Sequence, residues 1–325
     1  MGKKALLLVP VLMCLLFLAA GPAAAIEGGL HQYPDGVDDF MMGATPPPGL
    51  YFINYAVYAN ISDYKDARIP DGTRWKNLGA GDPKIKGWTM IDALRLIYVS
   101  KCKLLGGDVV FHAIQPIQHL ELTKAEWGGI NLLQDEPFKS ATRVHKKTGL
   151  KNTTLGAALG WHFSKNFHLT AVMDVIAPTG AYASDDFVNP GNPYWTFTPM
   201  LIPTYVTDGG FEVGAKLMYD INTRNKENGY LSGQEFHADY IIGQHMGPWM
   251  FGINGYYIQQ ITDDDIGRGM EADNFSGNKA AAFSTGPAVA YNYKNMFFKA
   301  KAQWDLYVKN RPETQRFWFN WIYCF

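Results

Sequence analysis

Residues 316 to 325 alternate with a period of two: Phe317, Phe319, Trp321, Tyr323 and Phe325 interleave with Arg316, Trp318, Asn320, Ile322 and Cys324. A period of two marks an extended strand, whose successive side chains point to opposite faces. One face of this strand is wholly aromatic and runs to the last residue. It must be covered along its length by a core or by lipid, which limits the folds open to the chain.

The pattern recurs. Phe211, Val213, Ala215, Leu217, Tyr219 and Ile221 oppose Glu212, Gly214, Lys216, Met218, Asp220 and Asn222, and Phe236, Ala238, Tyr240 and Ile242 oppose Glu235, His237 and Asp239. Trp161 and Phe163 oppose Gly160 and His162; Phe167, Leu169, Ala171, Met173 and Val175 oppose His168, Thr170 and Asp174; Phe298, Ala300, Ala302, Trp304, Leu306 and Val308 oppose Lys299, Lys301 and Asp305. Such two-faced strands suit a soluble sheet with one wet side, or a barrel with lipid outside and a polar lumen inside.

Connection lengths separate the two. Candidate strands lie near 50–60, 86–100, 107–117, 150–163, 166–177, 194–206, 211–222, 233–244, 249–261, 279–291, 296–308 and 315–325, about twelve in all, each close to the ~10 residues that a tilted membrane strand needs. Links 101–106, 164–166, 208–210, 245–248 and 292–295 are short; links 61–85, 118–149, 178–193, 223–232 and 262–278 are long, with 309–314 a shorter last member. Sorting of short turns to one rim and long loops to the other is the habit of outer-membrane barrels, and closure removes the unpaired strand edges that hydrocarbon penalises. The expected fold is all-β: a transmembrane antiparallel up-and-down β-barrel of outer-membrane type, its even strand count placing Phe325 at the short-turn rim. Two strands fit poorly. In 86–100, Asp92 and Arg95 have opposite parity; in 194–206, Pro199 and Pro203 remove ladder donors and predict a bulge or a shifted boundary.

The 325 residues are 47% hydrophobic and 18% charged with net charge −1, so no polybasic surface for nucleic acid exists. Beyond residue 25 there is no apolar run of roughly 20 residues, the length a membrane-crossing helix requires. Lys3 and Lys4, the apolar stretch Ala5 to Ala20, and Ala23-Ala24-Ala25 read as a cleavable export signal over 1–25. Residues 26–48, with Pro34-Asp35-Gly36 and Pro46-Pro47-Pro48, are turn-rich and read either as a periplasmic leader or as a plug folded into the lumen, leaving 49–325 as the barrel. Outside the signal only Cys102 and Cys324 remain, both near the short-turn rim; two isolated thiols are expected, with a disulfide as the alternative.

The ring-studded C-terminus resembles the assembly signal of bacterial outer-membrane barrels. A wider likeness rests on the order of motifs: Glu27-Gly28-Gly29 with His31, Tyr33, Pro34 and Gly36; Pro46-Pro47-Pro48-Gly49-Leu50-Tyr51 with Asn54-Tyr55; Trp161-His162-Phe163; Pro178-Thr179-Gly180-Ala181-Tyr182; Tyr194-Trp195; Tyr219-Asp220-Ile221-Asn222; the run Ser232 to Tyr240; Gly255-Tyr256-Tyr257 with Gln259-Gln260; and Gly286-Pro287. In these the chain resembles the outer-membrane family associated with the meta pathway of phenol degradation, over most of its length but not from Gln118 to Val144. The resemblance implies a Gram-negative outer-membrane barrel that passes small hydrophobic or aromatic compounds. It brings no catalytic residue and no cofactor. Expected partners are outer-membrane lipid and lipopolysaccharide, the barrel assembly machinery through Phe325, and the solute.

Residues expected to line the lumen are Phe52, Asn54, Tyr58, His162, His168, Asp174, Glu212, Lys216, Asp220, Glu235, His237, Asp239, Asn254, Tyr256, Lys299, Lys301, Asp305, Arg316 and Trp318. Glu235, His237 and Asp239 share a strand face and admit a metal-site or acid/base reading, but residues two apart on a strand sit roughly 6 to 7 Å apart, which favours a charge-compensated wall. His162 and His168 flank a turn and would make only half a metal site. Asp263-Asp264-Asp265 with Glu271 and Asp273 lacks the spacing of a calcium loop and reads as solvated. Trp88, Trp161, Trp195, Trp249, Trp318 and Trp321 lie near strand ends, as interfacial girdles do. No G-x-S-x-G, H-E-x-x-H, P-loop or His-x-Ser-Asn-Gly run is present, so an outer-membrane hydrolase and a purely structural barrel remain only as alternatives to a channel.

Overall fold

The computed structural model describes residues 32–65, 84–127, 130–131, 145–183, 186, 188–227, 229–265 and 279–325. Its strands are β1 (Gly49–Lys65), β2 (Lys84–Leu104), β3 (Gly107–Trp127), β4 (Ile130–Asn131), β5 (Lys146–Leu150), β6 (Thr153–His162), β7 (Phe167–Ala177), β8 (Thr196–Val206), β9 (Phe211–Asn222), β10 (Glu235–Met246), β11 (Trp249–Gln260), β12 (Ala281–Tyr293), β13 (Met296–Lys309) and β14 (Arg311–Cys324). Wall strands pair antiparallel with their sequence neighbours, and β14 returns to pair with β1, so the sheet closes on itself. The two-residue β4 and the five-residue β5 pair only with the far end of β3, and β5 with β6 makes one interrupted wall strand. The result is a closed, twelve-strand up-and-down barrel.

The link lengths sort as expected. At one rim the turns are tight, for example Leu105-Gly106, where both residues have positive φ (52° and 79°) as a two-residue hairpin turn of the primed type requires. Trp161 Nε1 donates to the Leu105 carbonyl at 3.1 Å and closes that turn from the next hairpin. The long links meet the other rim, except that β13 and β14 join there through Asn310 alone, at a φ of 51°.

The outer face carries the predicted apolar residues: Phe211, Val213 and Leu217 on β9, Trp304 and Leu306 on β13, Phe317 and Phe319 on β14 are all exposed. A band of rings circles the short-turn rim, where Trp249 packs on Tyr291 (4.5 Å between centroids) and Tyr323 on Phe325 (4.9 Å). Pro199 and Pro203 do not bend β8. The β8–β9 register is constant from Thr196↔Asn222 to Thr204↔Gly214, and only the rungs beside the prolines are missing. Both prolines fall on the outer parity of the strand, where each costs one donor and displaces nothing inside.

Cys102 is exposed, Cys324 is partly buried, and both are free thiols. The predicted signal over 1–25 lies outside the described residues, as do Glu271 and Asp273 of the acidic loop.

Candidate functional site

Residues 32–48 form a strap that threads the lumen. Gln32 Nε2 donates to the Tyr194 carbonyl (3.0 Å) and Thr196 Oγ1 (2.8 Å), beside the long-loop rim. Thirteen positions on, Thr45 Oγ1 meets Thr170 Oγ1 at 3.2 Å, near the short-turn rim where β1 begins. Tyr33 and Val37 pack with Ile53, Tyr55, Val57, Met200, Met218 and Trp318, and Phe40 packs with Ile241 and Met250.

Between these apolar anchors the strap's acids meet wall cations. Asp38 lies 2.6 Å from Lys216 Nζ; Asp39 lies 2.5 Å from Lys299 and 3.0 Å from Lys301; Asp35 lies 3.5 Å from Arg311 and 3.8 Å from Arg316. Burial alone would disfavour the charged carboxylates, and the ammonium groups of Lys216 beside Asp38, and of Lys299 and Lys301 beside Asp39, offset that cost. The wall's own acids serve the strap's backbone: Gly36 N donates to Asp239 Oδ1 (2.7 Å), Asp38 N to Asp239 Oδ2 (3.2 Å) and Met41 N to Glu212 Oε1 (2.5 Å). An unpaired backbone N–H in a low-dielectric interior is costly, so these carboxylates satisfy a segment that has no strand partner of its own.

On the opposite side, a polar chain crosses the wall from β1 to β7. Arg95 Nη1 donates to the Tyr55 hydroxyl (3.1 Å), Arg95 Nε to His112 Nδ1 (3.0 Å), and His112 Nε2 lies 2.7 Å from Asp174 Oδ1. An arginine nitrogen can only donate, so His112 Nδ1 accepts, its proton sits on Nε2, and that proton goes to Asp174. His112 is the neutral link between a cation and a carboxylate.

Two cavities lie between strap and wall. The larger, of about 260 Å³, runs toward the short-turn rim under Val37 to Pro46 and is lined by Tyr51, Ile53, Val110, Val172 and Phe297 among others. The smaller, of about 60 Å³, lies toward the long-loop rim among Tyr33, Ile91, Ile114, Ile176, Pro190 and Trp318. Val37, Tyr55 and Arg95 line both, so they form the partition.

Of the residues expected inside, Asp174, Glu212, Lys216, Asp220, Glu235, His237, Asp239, Asn254, Tyr256, Lys301, Asp305 and Trp318 are buried on the inner parity, and Lys299 and Arg316 are half-buried there against the strap. Tyr256 hydrogen-bonds Asp305, which also accepts from Thr314 N at 2.7 Å, and Arg316 lies 4.5 Å over the Tyr256 ring. His237 reaches Asp220 (3.3 Å) and Asp35 (3.6 Å), so the Glu235-His237-Asp239 face is engaged by strap and wall; among the described residues no group of three or more metal-ligating side chains could hold an ion. His162 and His168 sit at the rim with Nδ1 atoms 2.7 Å apart.

Phe52, Asn54 and Tyr58 are corrected: they face outward, because the inner parity of β1 is Ile53, Tyr55, Val57, Ala59 and Ile61. Phe52 packs edge-on to Trp321, Tyr58 stacks on Trp88, and Asn54 bonds Asp92 on the outer wall. The inner face of β1 is apolar and its amides, Asn54 and Asn60, lie on the outer parity, so polarity pointed to the wrong phase. Trp318 belongs to the interior, with Nε1 donating to Gln303 Oε1 at 2.9 Å, and not to a girdle. Tyr55, Arg95, His112 and the strap acids Asp35, Asp38 and Asp39 were missed. The clash of parity between Asp92 and Arg95 was their signal: one faces out to Asn54, the other in to His112.

A family model described as "Putative MetA-pathway of phenol degradation" matches residues 79–321. No protein with a curated description matches the chain. Among solved structures, the COG4313 outer membrane channel from Pseudomonas putida F1 is similar at a TM-score of 0.70 and 15% identity, over 88% of this chain and 98% of that one. The translocator domain of the autotransporter NalP from Neisseria meningitidis aligns at 0.49 and 7% identity, over 87% and 91% of the two chains. The first of these likenesses establishes the fold as that of an outer-membrane barrel.

Proposed function

From the premise that this chain belongs to the phenol-degradation family whose model covers most of it, we propose that it is an outer-membrane channel admitting small hydrophobic or aromatic molecules by passive diffusion. The observation that carries this reading is the pair of cavities stacked on one side of the strap, one toward each rim, with only Val37, Tyr55 and Arg95 between them. Their walls are mainly apolar, and the charged side chains that line the larger one, such as Asp38 with Lys216 and Asp39 with Lys299, are paired with one another. A molecule with little polar surface loses little on leaving water for such a path.

In this reading the short-turn rim and Phe325 face the periplasm, the long loops face outward, residues 1–25 direct export, and the strap is a plug that narrows the bore. Transport, not hydrolysis, is the activity favoured, since the buried acids and bases are engaged with one another and with the strap.

Uptake of radiolabelled single-ring compounds into proteoliposomes tests the reading, with chain lacking residues 27–48 measured in parallel. Ring compounds are expected to enter faster than a sugar of equal mass, and removal of the strap to raise conductance and abolish that preference. Equal permeation by sugar and ring compound through the full chain would overturn it.

A further inference from the structure

Three acids, Asp38, Asp39 and Asp174, and three cations, Arg95, Lys216 and Lys299, line the larger cavity, but Arg95 makes no direct ion pair with any of these acids. Asp38 is matched by Lys216, Asp39 by Lys299 and Lys301, and Asp174 by the N–H of neutral His112. Arg95 alone among these cations makes its hydrogen bonds to uncharged acceptors, the Tyr55 hydroxyl and His112 Nδ1. A guanidinium has five N–H donors, so three of them have no hydrogen-bond partner among the described residues. Arg95 stands in the partition and lines both cavities, with apolar Ile97 and Val110 beside it.

A cavity of about 150 Å³ suffices to hold benzene, so the 260 Å³ chamber below Arg95 accommodates one ring and a substituent, while the 60 Å³ space beyond it does not take a ring without side-chain movement. A planar guanidinium with a free edge matches the two oxygens of a carboxylate in a fork that an ammonium cannot reproduce. An uncharged ring offers these donors nothing and leaves them unsatisfied when it displaces their water.

We propose that Arg95 is the recognition point for single-ring carboxylates, and that the channel accepts aromatic acids in preference to uncharged rings of similar size. This rests on the lumen being a solute path and names the solute class for it.

The test uses the full chain in proteoliposomes and in detergent, with benzoate and benzyl alcohol as probes, and compares wild type with Arg95→Gln, Arg95→Lys and the exposed-turn control Lys165→Gln. Saturable benzoate uptake is expected, its half-saturating concentration at least tenfold higher in Arg95→Gln, intermediate in Arg95→Lys and unchanged in Lys165→Gln, while benzyl alcohol uptake stays within twofold throughout. Heat-dependent gel mobility verifies that each variant is folded. Equal response of the two probes to Arg95→Gln, or passage of benzyl alcohol without benzoate, overturns the proposal while leaving the channel intact. Should neither probe cross, calorimetric benzoate binding in detergent decides: binding lost in Arg95→Gln upholds recognition and defeats transport, and absence of binding defeats both.

Discussion

His112 Nε2 lies 2.7 Å from Asp174 Oδ1 although β6 runs between the strands that carry them. His112 is in register with Gly156, and Gly156 with Asp174, so the bond passes directly over the glycine. A Cβ there would collide with both His112 Nε2 and Asp174 Oδ1. Gly156→Ala is therefore expected to break the chain that holds Arg95 and to destabilise the barrel by about 1–3 kcal/mol, the usual cost of overpacking. Urea unfolding in detergent micelles measures it; unchanged stability would mean that the histidine swings aside at no cost.

Asp39 holds two lysines at once, and Asp39 and Lys301 are both about 1% exposed. Asp39→Ala leaves Lys299 and Lys301 facing each other without a counter-charge, and breaking a buried pair from one side costs about 3–5 kcal/mol. The penalty is relieved if the strap leaves, so single-channel conductance is expected to rise while the wall itself stays folded. A conductance equal to wild type would show that the apolar anchors suffice.

Ile253 is 58% exposed on the outer face of β11, opposite Ile242. Ile253→Arg is expected to cost about 2–4 kcal/mol in folding into lipid, the midplane penalty for such a residue on a barrel exterior. On the same exterior Asn54 and Asp92 form a polar pair among Leu94 and Phe319. The double change Asn54→Leu, Asp92→Leu is expected to leave folding equal or improved, because a carboxylate facing lipid is costly and one amide hydrogen bond does not repay its desolvation.

What the sequence disclosed follows from where polarity changes sign. On β9, β10 and β13 one parity is charged and the other apolar, so the inward positions Lys216, His237 and Lys301 were legible directly. On β1 the amides Asn54 and Asn60 sit on the outer parity, so polarity misleads, and phase could come only from the register with β14, where Tyr55 faces Asn320 and Val57 faces Trp318. The strap was legible as turn-rich but not as a threaded segment. Its acids find Lys216, Lys299 and Lys301 more than 170 positions away, a pairing that no local period records.

The strap runs into β1 through only Pro46, Pro47 and Pro48. A displaced strap consequently cannot diffuse off. Its return is an intramolecular event at an effective concentration on the order of millimolar, set by tether length and stiffness and not by how much protein is present. Each barrel carries its own stopper on a leash, and whatever pushes it aside has to win against immediate recapture.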